Sequence, residues 1–478
     1  MALPSLIEIV PLKERVTATI TVPGSKSITN RALILAALAH GETILRGALW
    51  SEDTQVMVEC LRELGYMVTV APDPAEPCNR TITVYGKGAS VPAGGTEDQP
   101  LELFVGNAGT AARFLSAFVC LGKGVYRIHG VPRMHERPQA GLFQALRSLG
   151  YRIDSPNDKL PAIIHGAGAR PGKCSVSIEQ SSQFASALLL GAGTGGWQVS
   201  VVGDDSEEAS YVAMTMKMIE VFPKSGGVLQ IEPDASSGSY FMALRRLGLP
   251  CAQGLEHSEQ FGKKVQTSYL STVTVANWPH SGWQIDERFP QVLARMDGEL
   301  DSVAIGSPDA QTDRSGFKNY QASVVNSECI SRAKNLGDSI MTAIVVAPLV
   351  SRDPVDKPIR FTELGRLRLQ ECERVVALRT ELTKCGAKVI ESGETLEVYS
   401  TELHGAEIET YNDHRMAMCF AILGLKVSGI KINNPACVKK TFPDFFQKLA
   451  APPPHGLGAT IQDGHTGRSL ALAELFAD

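Results

Sequence analysis

One pattern of apolar and polar positions recurs along the chain: an amphipathic segment closes on an apolar-x-x-apolar-Gly step, and a short β-branched run follows. CLRELGYMVTV from Cys60, ALRSLGYRID from Ala145 and ELTKCGAKVI from Glu381 are clear copies, and MIEVFPKSGGVLQI from Met218 and VLARMDGELDSVAI from Val292 are looser ones. Glycine tolerates the left-handed turn that ends a helix, so each copy predicts helix, turn and strand. Such units spaced by tens of residues predict domains assembled from similar α/β modules, although helix-Gly-strand is also ordinary α/β grammar.

Three stretches fall outside the pattern. SRDPVDKPIR near Ser351 and the region from Gln253 to Ala322 are rich in Gly, Pro, Ser and Asp and read as loops or insertions. The tail APPPHGLGATIQDGHTGRSL from Ala451 reads as a linker or disordered end, with TGRSLALAELFAD able to form a short terminal helix.

Length sharpens this picture, because 478 residues exceed what one hydrophobic core usually supports, and two domains are expected. A composition of 44% hydrophobic and 20% charged residues is that of a globular protein, and no apolar run reaches the roughly 20 residues that span a bilayer. The N-terminus, MALPSLIEIVPLKERVTATI, lacks the apolar core of a secretion signal and the Arg/Ser-rich composition of a transit peptide, so the cytoplasm is the expected compartment. Ten cysteines without a Cys-x-x-Cys pair read as reduced core thiols rather than zinc ligands or disulfides.

A net charge of −5 offers no whole-chain field for nucleic acid or an anionic membrane, so any anion must be held by cations gathered locally. Six stretches place cations beside turn residues or helix starts: PGSKSITNRALILAALAHG with Lys26 and Arg31, VGNAGTAARFL, PRMHERP, QECERV, NDHRMAM and VKKTFPDF. Helix N-termini present free N–H groups and partial positive charge. Any one stretch reads as a solvated charge or an ordinary cap, but several such ends facing one another build a multi-anion site. GNAGTA lacks the frame of a Walker A loop, no Rossmann glycine fingerprint is present, and no serine elbow or Cys-His signature stands out.

In chain order, PGSKSITNRALILAALA, GNAGTAxR, RMxERP, SSQF, DASS, RxxECER, NDHRMAM and KTFPDFF make the chain resemble the 5-enolpyruvylshikimate-3-phosphate synthase family from about Val22 to Leu449. The resemblance implies an α/β, two-domain enolpyruvyl transferase fold, each domain an inside-out barrel of three βαβαββ units. The chain crosses between domains near Val22 to Gly24 and near Glu232 to Ser236. The expected domains are 24–233, then 1–23 with 234–450, followed by the tail 451–478.

The implied reaction moves the enolpyruvyl group of phosphoenolpyruvate to the 5-hydroxyl of shikimate 3-phosphate and releases phosphate through a tetrahedral ketal, with no metal or other cofactor. Matched position by position, Lys26, Gly109, Arg137, Gln183, Arg374, Arg415 and Lys440 resemble the phosphoenolpyruvate site. Lys26, Asp338, Glu371 and His414 are the implied catalytic groups. Lys26, Ser27, Arg31, Ser181, Ser182, Gln183, Tyr211 and Asp338 are the implied acceptor contacts. The implied partners are two small molecules on a monomer, and the donor site is one that glyphosate enters, with Gly109 the small residue of sensitive members.

Three acceptor-side positions depart from the family pattern. Glu208-Ala209-Ser210-Tyr211 stands where the family has Ser-Lys/Gln-Pro-Tyr, Gln370 replaces a lysine before Glu371, and Arg366 replaces an Asn or Ser. A carboxylate facing a phosphate dianion is repulsive unless a cation intervenes. Arg366 is one such cation. The departures equally leave open an altered, unphosphorylated shikimate-like or cyclitol acceptor, elimination chemistry on such a ring, or a catalytically dead binding protein. The related UDP-sugar transferase is disfavoured, since no counterpart of its loop cysteine is present.

Overall fold

The computed structural model describes residues 3–179, 181–203, 206–244, 259–260, 263–264, 272–296, 329–350 and 357–477. The three clear helix-Gly-strand copies form as the pattern predicts. Helix Glu52–Glu63 runs through Gly65 at φ 83° into strand Met67–Pro72, helix Ala140–Ser148 through Gly150 at 87° into Arg152–Asp154, and helix Arg374–Lys384 through Gly386 at 90° into Val389–Ser392. Of the looser copies, helix Ser206–Val221 turns through Gly226 into Gly227–Gln230, and helix Phe289–Met296 leads into residues outside those described.

The strands assemble four times in one order, a parallel pair extended by two antiparallel strands. Leu101–Phe104 lies parallel to Lys123–His129, which pairs with Ala162–Ala167 and through it with Arg152–Asp154. Gly227–Gln230, His40–Leu49, Asn79–Lys87 and Met67–Pro72 repeat this order. So do Cys329–Ser331, Ile359–Thr362, Thr395–Val398 and Val389–Ser392. In the last sheet Glu407–Ile408 and Ile430–Asn433 make the parallel pair, and the N-terminal strand Leu6–Ile9 and the strand Ile461–Asp463 complete it.

Two hydrophobic cores result. One gathers buried residues from Ile28 to Ile231, and the other gathers Ile7 to Val22 with Tyr240 to Ala477. The two passages between them run side by side. Gly24 bridges Pro233, the Ser25 N–H donates to the Glu232 carbonyl at 2.8 Å, and the Asp234 N–H donates to the Pro23 carbonyl at 2.8 Å. We propose that the cores mark two domains that exchange chain at these paired crossings.

Gly24 is there because nothing larger fits: a Cβ would stand 2.0 Å from the Gly47 carbonyl oxygen. Gly47, at φ 67°, lies in the bulge where the pairing of His40–Leu49 with Asn79–Lys87 shifts between Leu45 and Ala48. The obstruction is backbone and cannot swing aside. Gly24→Ala is therefore expected to destabilise the protein by about 1–3 kcal/mol, the usual cost of overpacking, read as a lower urea midpoint; an unchanged midpoint would show that the crossing yields freely.

The tail is not the linker that its composition suggests. Ile461–Asp463 pairs antiparallel with Leu6–Ile9, and Leu457, Ile461, Leu475 and Ala477 are buried. These few apolar residues, separated by Gly and Pro turns, cover an edge that the N-terminal strand would otherwise leave open. The expected terminal helix is only a 3-10 turn, Leu472–Glu474, and Glu474 is held by Arg468 at 2.9 Å. Within 253–322, read as loops, residues 272–296 contain strand Thr272–Val275 and helix Phe289–Met296, and 259–260 and 263–264 pair as short strands. The rest of that stretch and 351–356 lie outside the described residues. No helix of the described residues is long and apolar enough to cross a membrane.

Candidate functional site

Among the described residues, seven α-helices bring a cap or first-turn residue to the wall of one cavity of about 360 Å³, lined from both cores. They are Lys26–Leu38, Glu52–Glu63, Gly109–Phe118, Ser182–Gly195, Ala235–Ala243, Arg374–Lys384 and His414–Gly424. Their local sequences explain the starts. Ser181 accepts from the Gln183 N–H at 3.2 Å, Asp234 from the Ser237 N–H at 2.9 Å and Asp413 from the Arg415 N–H at 2.9 Å, each a side-chain cap on an apolar helix. The remaining uncapped N–H groups give the cavity a preference for anions.

Arg137 and Lys440 reach the cavity differently. Arg137 follows the short helix Pro132–Glu136 and donates to the Asn107 carbonyl at 3.1 Å, while Lys440 ends the 3-10 segment Pro435–Lys440. Lys26, Ser27, Arg31, Gly109, Arg137, Ser181, Ser182, Gln183, Tyr211, Asp338, Arg366, Gln370, Glu371, Arg374, His414, Arg415 and Lys440 all line the same cavity. Glu208 lies in helix Ser206–Val221, but its side chain is outside the described residues.

The cations are spaced by carboxylates. Glu371 sits between Lys440 Nζ at 2.8 Å and Arg374 Nη2 at 2.8 Å. Arg374, 1% exposed, also grips Asp413 at 2.7 Å and is met at Nη1 by the Gln370 amide oxygen. Asp338 is surrounded by Arg415 at 2.9 Å, Arg332 at 3.1 Å and Arg374 at 3.7 Å. Lys26 pairs with Asp53 at 3.1 Å. Burial alone would raise both acids, but Lys440, Arg374 and Lys26 hold the Glu371 carboxyl well below its usual range, and Arg415, Arg374 and Arg332 do the same to Asp338.

His414 is 1% exposed, and burial, followed by the charges of Arg415, Lys26 and Lys440, pushes its ring well below the ordinary imidazole value, so it is neutral at pH 7. Neither ring nitrogen has a hydrogen-bond partner among the described residues. On the opposite wall Arg31 donates to Thr215 at 2.7 Å, to the Ser27 carbonyl at 2.9 Å and to Ser186 at 3.0 Å, which fixes its planar fork. Arg366 reaches across from the second core to the Ile178 carbonyl beside the Ser181 cap.

Several lining residues escape sequence reading. Asp53 lies in the first turn of helix Glu52–Glu63, behind a Ser51/Thr54 capping box that already explains the local sequence. Arg113 is part of the GNAGTAxR run, yet nothing in the run separates its role from that of Gly109. Arg332 and Asp286 sit in stretches with no periodic signal. Among the described residues, the one group of side chains spaced to hold a metal is Glu76, Cys78 and Asp444, away from this cavity. Lys448 Nζ, 2.8 Å from Glu76, already supplies its positive charge, and burial keeps the Cys78 thiol protonated, so the donors do not suit a cation.

The family model described as EPSP synthase (3-phosphoshikimate 1-carboxyvinyltransferase) matches residues 11–245 and 268–449. A 3-phosphoshikimate 1-carboxyvinyltransferase of Nostoc punctiforme is 35% identical over 464 residues, covering 93% of this chain and 98% of its own length. One of Opitutus terrae is 36% identical over 465 residues, covering 94% and 98%. The chloroplastic protein of Solanum lycopersicum is 34% identical over 478 residues, covering 93% and 84%. Among solved structures, EPSP synthase from Acinetobacter baumannii matches with a TM-score of 0.68 at 20% identity, covering 96% of this chain and 99% of that one. The enolpyruvyl transferase NikO from Streptomyces tendae matches with 0.60 at 15% identity, covering 97% and 99%. At these identities the likeness is one of fold, a mixed α/β enolpyruvyl transferase fold.

Proposed function

The chain belongs to the EPSP synthase family, and on that premise we propose how its cavity transfers the enolpyruvyl group of phosphoenolpyruvate to the 5-hydroxyl of shikimate 3-phosphate. The observation that carries the assignment is the convergence of cations from both cores, with several helix N-termini, on one cavity. Two substrates that each bear a phosphate and a carboxylate need such a surface.

Phosphoenolpyruvate lies against Lys26, Gly109, Arg137, Gln183, Arg374, Arg415 and Lys440. Its anionic groups compete with Glu371 for Lys440 and Arg374, and a Glu371 relieved of those cations becomes basic enough to carry a proton. Glu371 gives that proton to C3, and C2 becomes electrophilic. Asp338 orients the acceptor hydroxyl and takes its proton as the C–O bond forms, while Lys26 balances the charge that develops between the substrates. The ketal then expels phosphate, which takes up the proton held by Asp338, as Glu371 removes a proton from the new methyl group, so both carboxyl groups end in the state in which they began. Neutral His414 offers a hydrogen bond beside Glu371 without adding a charge.

On the acceptor side, Ser27 and Arg31 take the ring carboxylate, and Ser181, Ser182 and Tyr211 take the phosphate end. Gln370 is turned to Arg374, which supports Arg366 as the cation that replaces the family lysine at the phosphate and offsets Glu208. A phosphate-release assay tests the whole reading: turnover is expected with shikimate 3-phosphate and weak turnover with shikimate, and no release with the phosphorylated acceptor would sink it. Both walls come from one chain, which supports a monomer as the working unit, and the cytoplasm remains the compartment we propose.

Gly109 gives a narrower test. A Cβ there would stand 2.5 Å from Arg113 Nη1 and 2.7 Å from Arg137 Nη2. Both are ends of flexible side chains, so Gly109→Ala folds but displaces a guanidinium. Losing one hydrogen bond to a charged group, worth about 1.5–3 kcal/mol, predicts a rise of about ten- to a hundredfold in KM for phosphoenolpyruvate. Steady-state kinetics showing an unchanged KM would place the donor elsewhere.

A further inference from the structure

Asp286 lies in the stretch whose composition reads as loop, yet it is 3% exposed. Its carboxylate is occupied by the residues on either side of Asp338. Oδ1 accepts from the Gly337 N–H at 2.6 Å, from the Ser339 N–H at 3.3 Å and from the Ser339 hydroxyl at 2.6 Å. Oδ2 accepts from the Ser236 hydroxyl, in the first turn of the helix that follows the second crossing.

Two residues earlier, Gln284 holds that crossing directly. Its Oε1 accepts from the Ala235 N–H at 3.0 Å, and its Nε2 donates to the Pro233 carbonyl at 2.9 Å and to Glu232 at 3.2 Å. Residues 284–286 are thus a bridge between the crossing and the loop that carries Asp338. The fit is close: a Cβ on Gly337 would stand 3.0 Å from Ile285 and 3.3 Å from both Asp286 oxygens.

The loop needs such a hold. Arg415 and Arg374, on two helices, and Arg332, earlier in the same loop, pull on the Asp338 carboxylate, and an unrestrained loop would follow the strongest pull. With the backbone pinned at 337 and 339, only the side-chain torsions of Asp338 stay free. We propose that Asp286 is a positioning residue for Asp338, and that the segment Gln284–Asp286 sets the place of that carboxylate from the place of the second crossing. The proposal rests on the assignment of Asp338 to the acceptor hydroxyl.

The test is steady-state kinetics and thermal melting of Asp286→Ala, Asp286→Asn, Asp338→Asn and the double variant Asp286→Ala/Asp338→Asn. Asp286→Ala is expected to lower kcat by about a hundredfold, the scale of an ångström-sized misplacement, with KM for phosphoenolpyruvate little changed. Asp286→Asn keeps an oxygen for the Gly337 and Ser339 donors, so it retains most of the activity. In the Asp338→Asn background, Asp286→Ala costs much less than it does alone, because the group it positions is already gone. Losses that simply multiply in the double variant would overturn the proposal, as would an asparagine variant as weak as the alanine one, which would point to the charge of Asp286 acting on Arg415. An Asp338→Asn enzyme with normal kcat would instead remove the reading of Asp338, and the proposal with it. If Asp286→Ala fails to fold, Ser339→Ala removes one bond to the same carboxylate; a smaller loss in kcat supports the hold, and unchanged kcat refutes it.

Discussion

Glu371→Gln is expected to lower kcat by about a thousandfold, within the usual span for loss of a general acid-base group, and to lower KM for phosphoenolpyruvate as well. The two effects share one cause. Glu371 occupies Lys440 and Arg374, both at 2.8 Å, so the substrate must displace a carboxylate to reach them. A neutral amide of the same shape competes less and binds neither cation as strongly, which favours the ground-state complex. It cannot deliver a proton to C3 or take one back. A variant with a raised KM and an intact kcat would mean that Glu371 is a binding contact and that the proton comes from elsewhere, with Lys26 the next group to test.

Arg374→Met is expected to destabilise the protein by about 3–5 kcal/mol, the scale for removing one partner of a buried ion pair, and to abolish turnover. Arg374 is 1% exposed and Asp413 is 0% exposed, so no water replaces the lost guanidinium. Asp413 would keep only its cap to the Arg415 N–H as a strong partner, and helix His414–Gly424 would begin on an uncompensated charge. Urea unfolding measures the loss, and removing the stranded charge as well, in Arg374→Met/Asp413→Asn, should recover part of it. Acid sensitivity gives a second readout. Glu371 and Asp338 titrate below their ordinary values in the folded protein, so the stability they contribute is complete above the usual carboxylate range near pH 4 and is lost as pH falls through their lower folded values. Arg374 helps to lower both, so in the variant their folded values lie closer to the unfolded ones and less stability is lost than in the parent as pH falls below about 4. Equal losses over that range would show that Arg374 does not set these charges.

The helix-turn-strand copies were legible because a left-handed glycine and a change from helical to strand periodicity are local properties. Gly65, Gly150 and Gly386 needed no partner to declare themselves. The cavity was legible for a related reason. Ser181, Asp413 and Lys26 stand at helix starts, and a helix start is written in three or four adjacent residues, so Ser181 can cap its helix and line the cavity at once. What stayed hidden depends on distant contact. Asp53 is a site residue because Lys26 lies 3.1 Å away, Arg332 because of Asp338, and Asp286 because the Gly337 and Ser339 N–H groups converge on it. The tail misled because its turn-rich composition is that of a linker, while the few buried apolar side chains that pin it matter only beside strand Leu6–Ile9.

That strand has a consequence for biosynthesis. Leu6–Ile9 leaves the ribosome long before its partners in register, Ile430–Asn433 and Ile461–Asp463. At about 5–20 residues per second, the N-terminal segment waits on the order of 20 to 90 s before either neighbour exists. Meanwhile the stretch from Ile28 to Ile231 can complete its own core behind it. The nascent chain therefore carries an unpaired, mostly apolar strand through most of its synthesis, and Glu8 within it is the charge that discourages it from pairing with another copy.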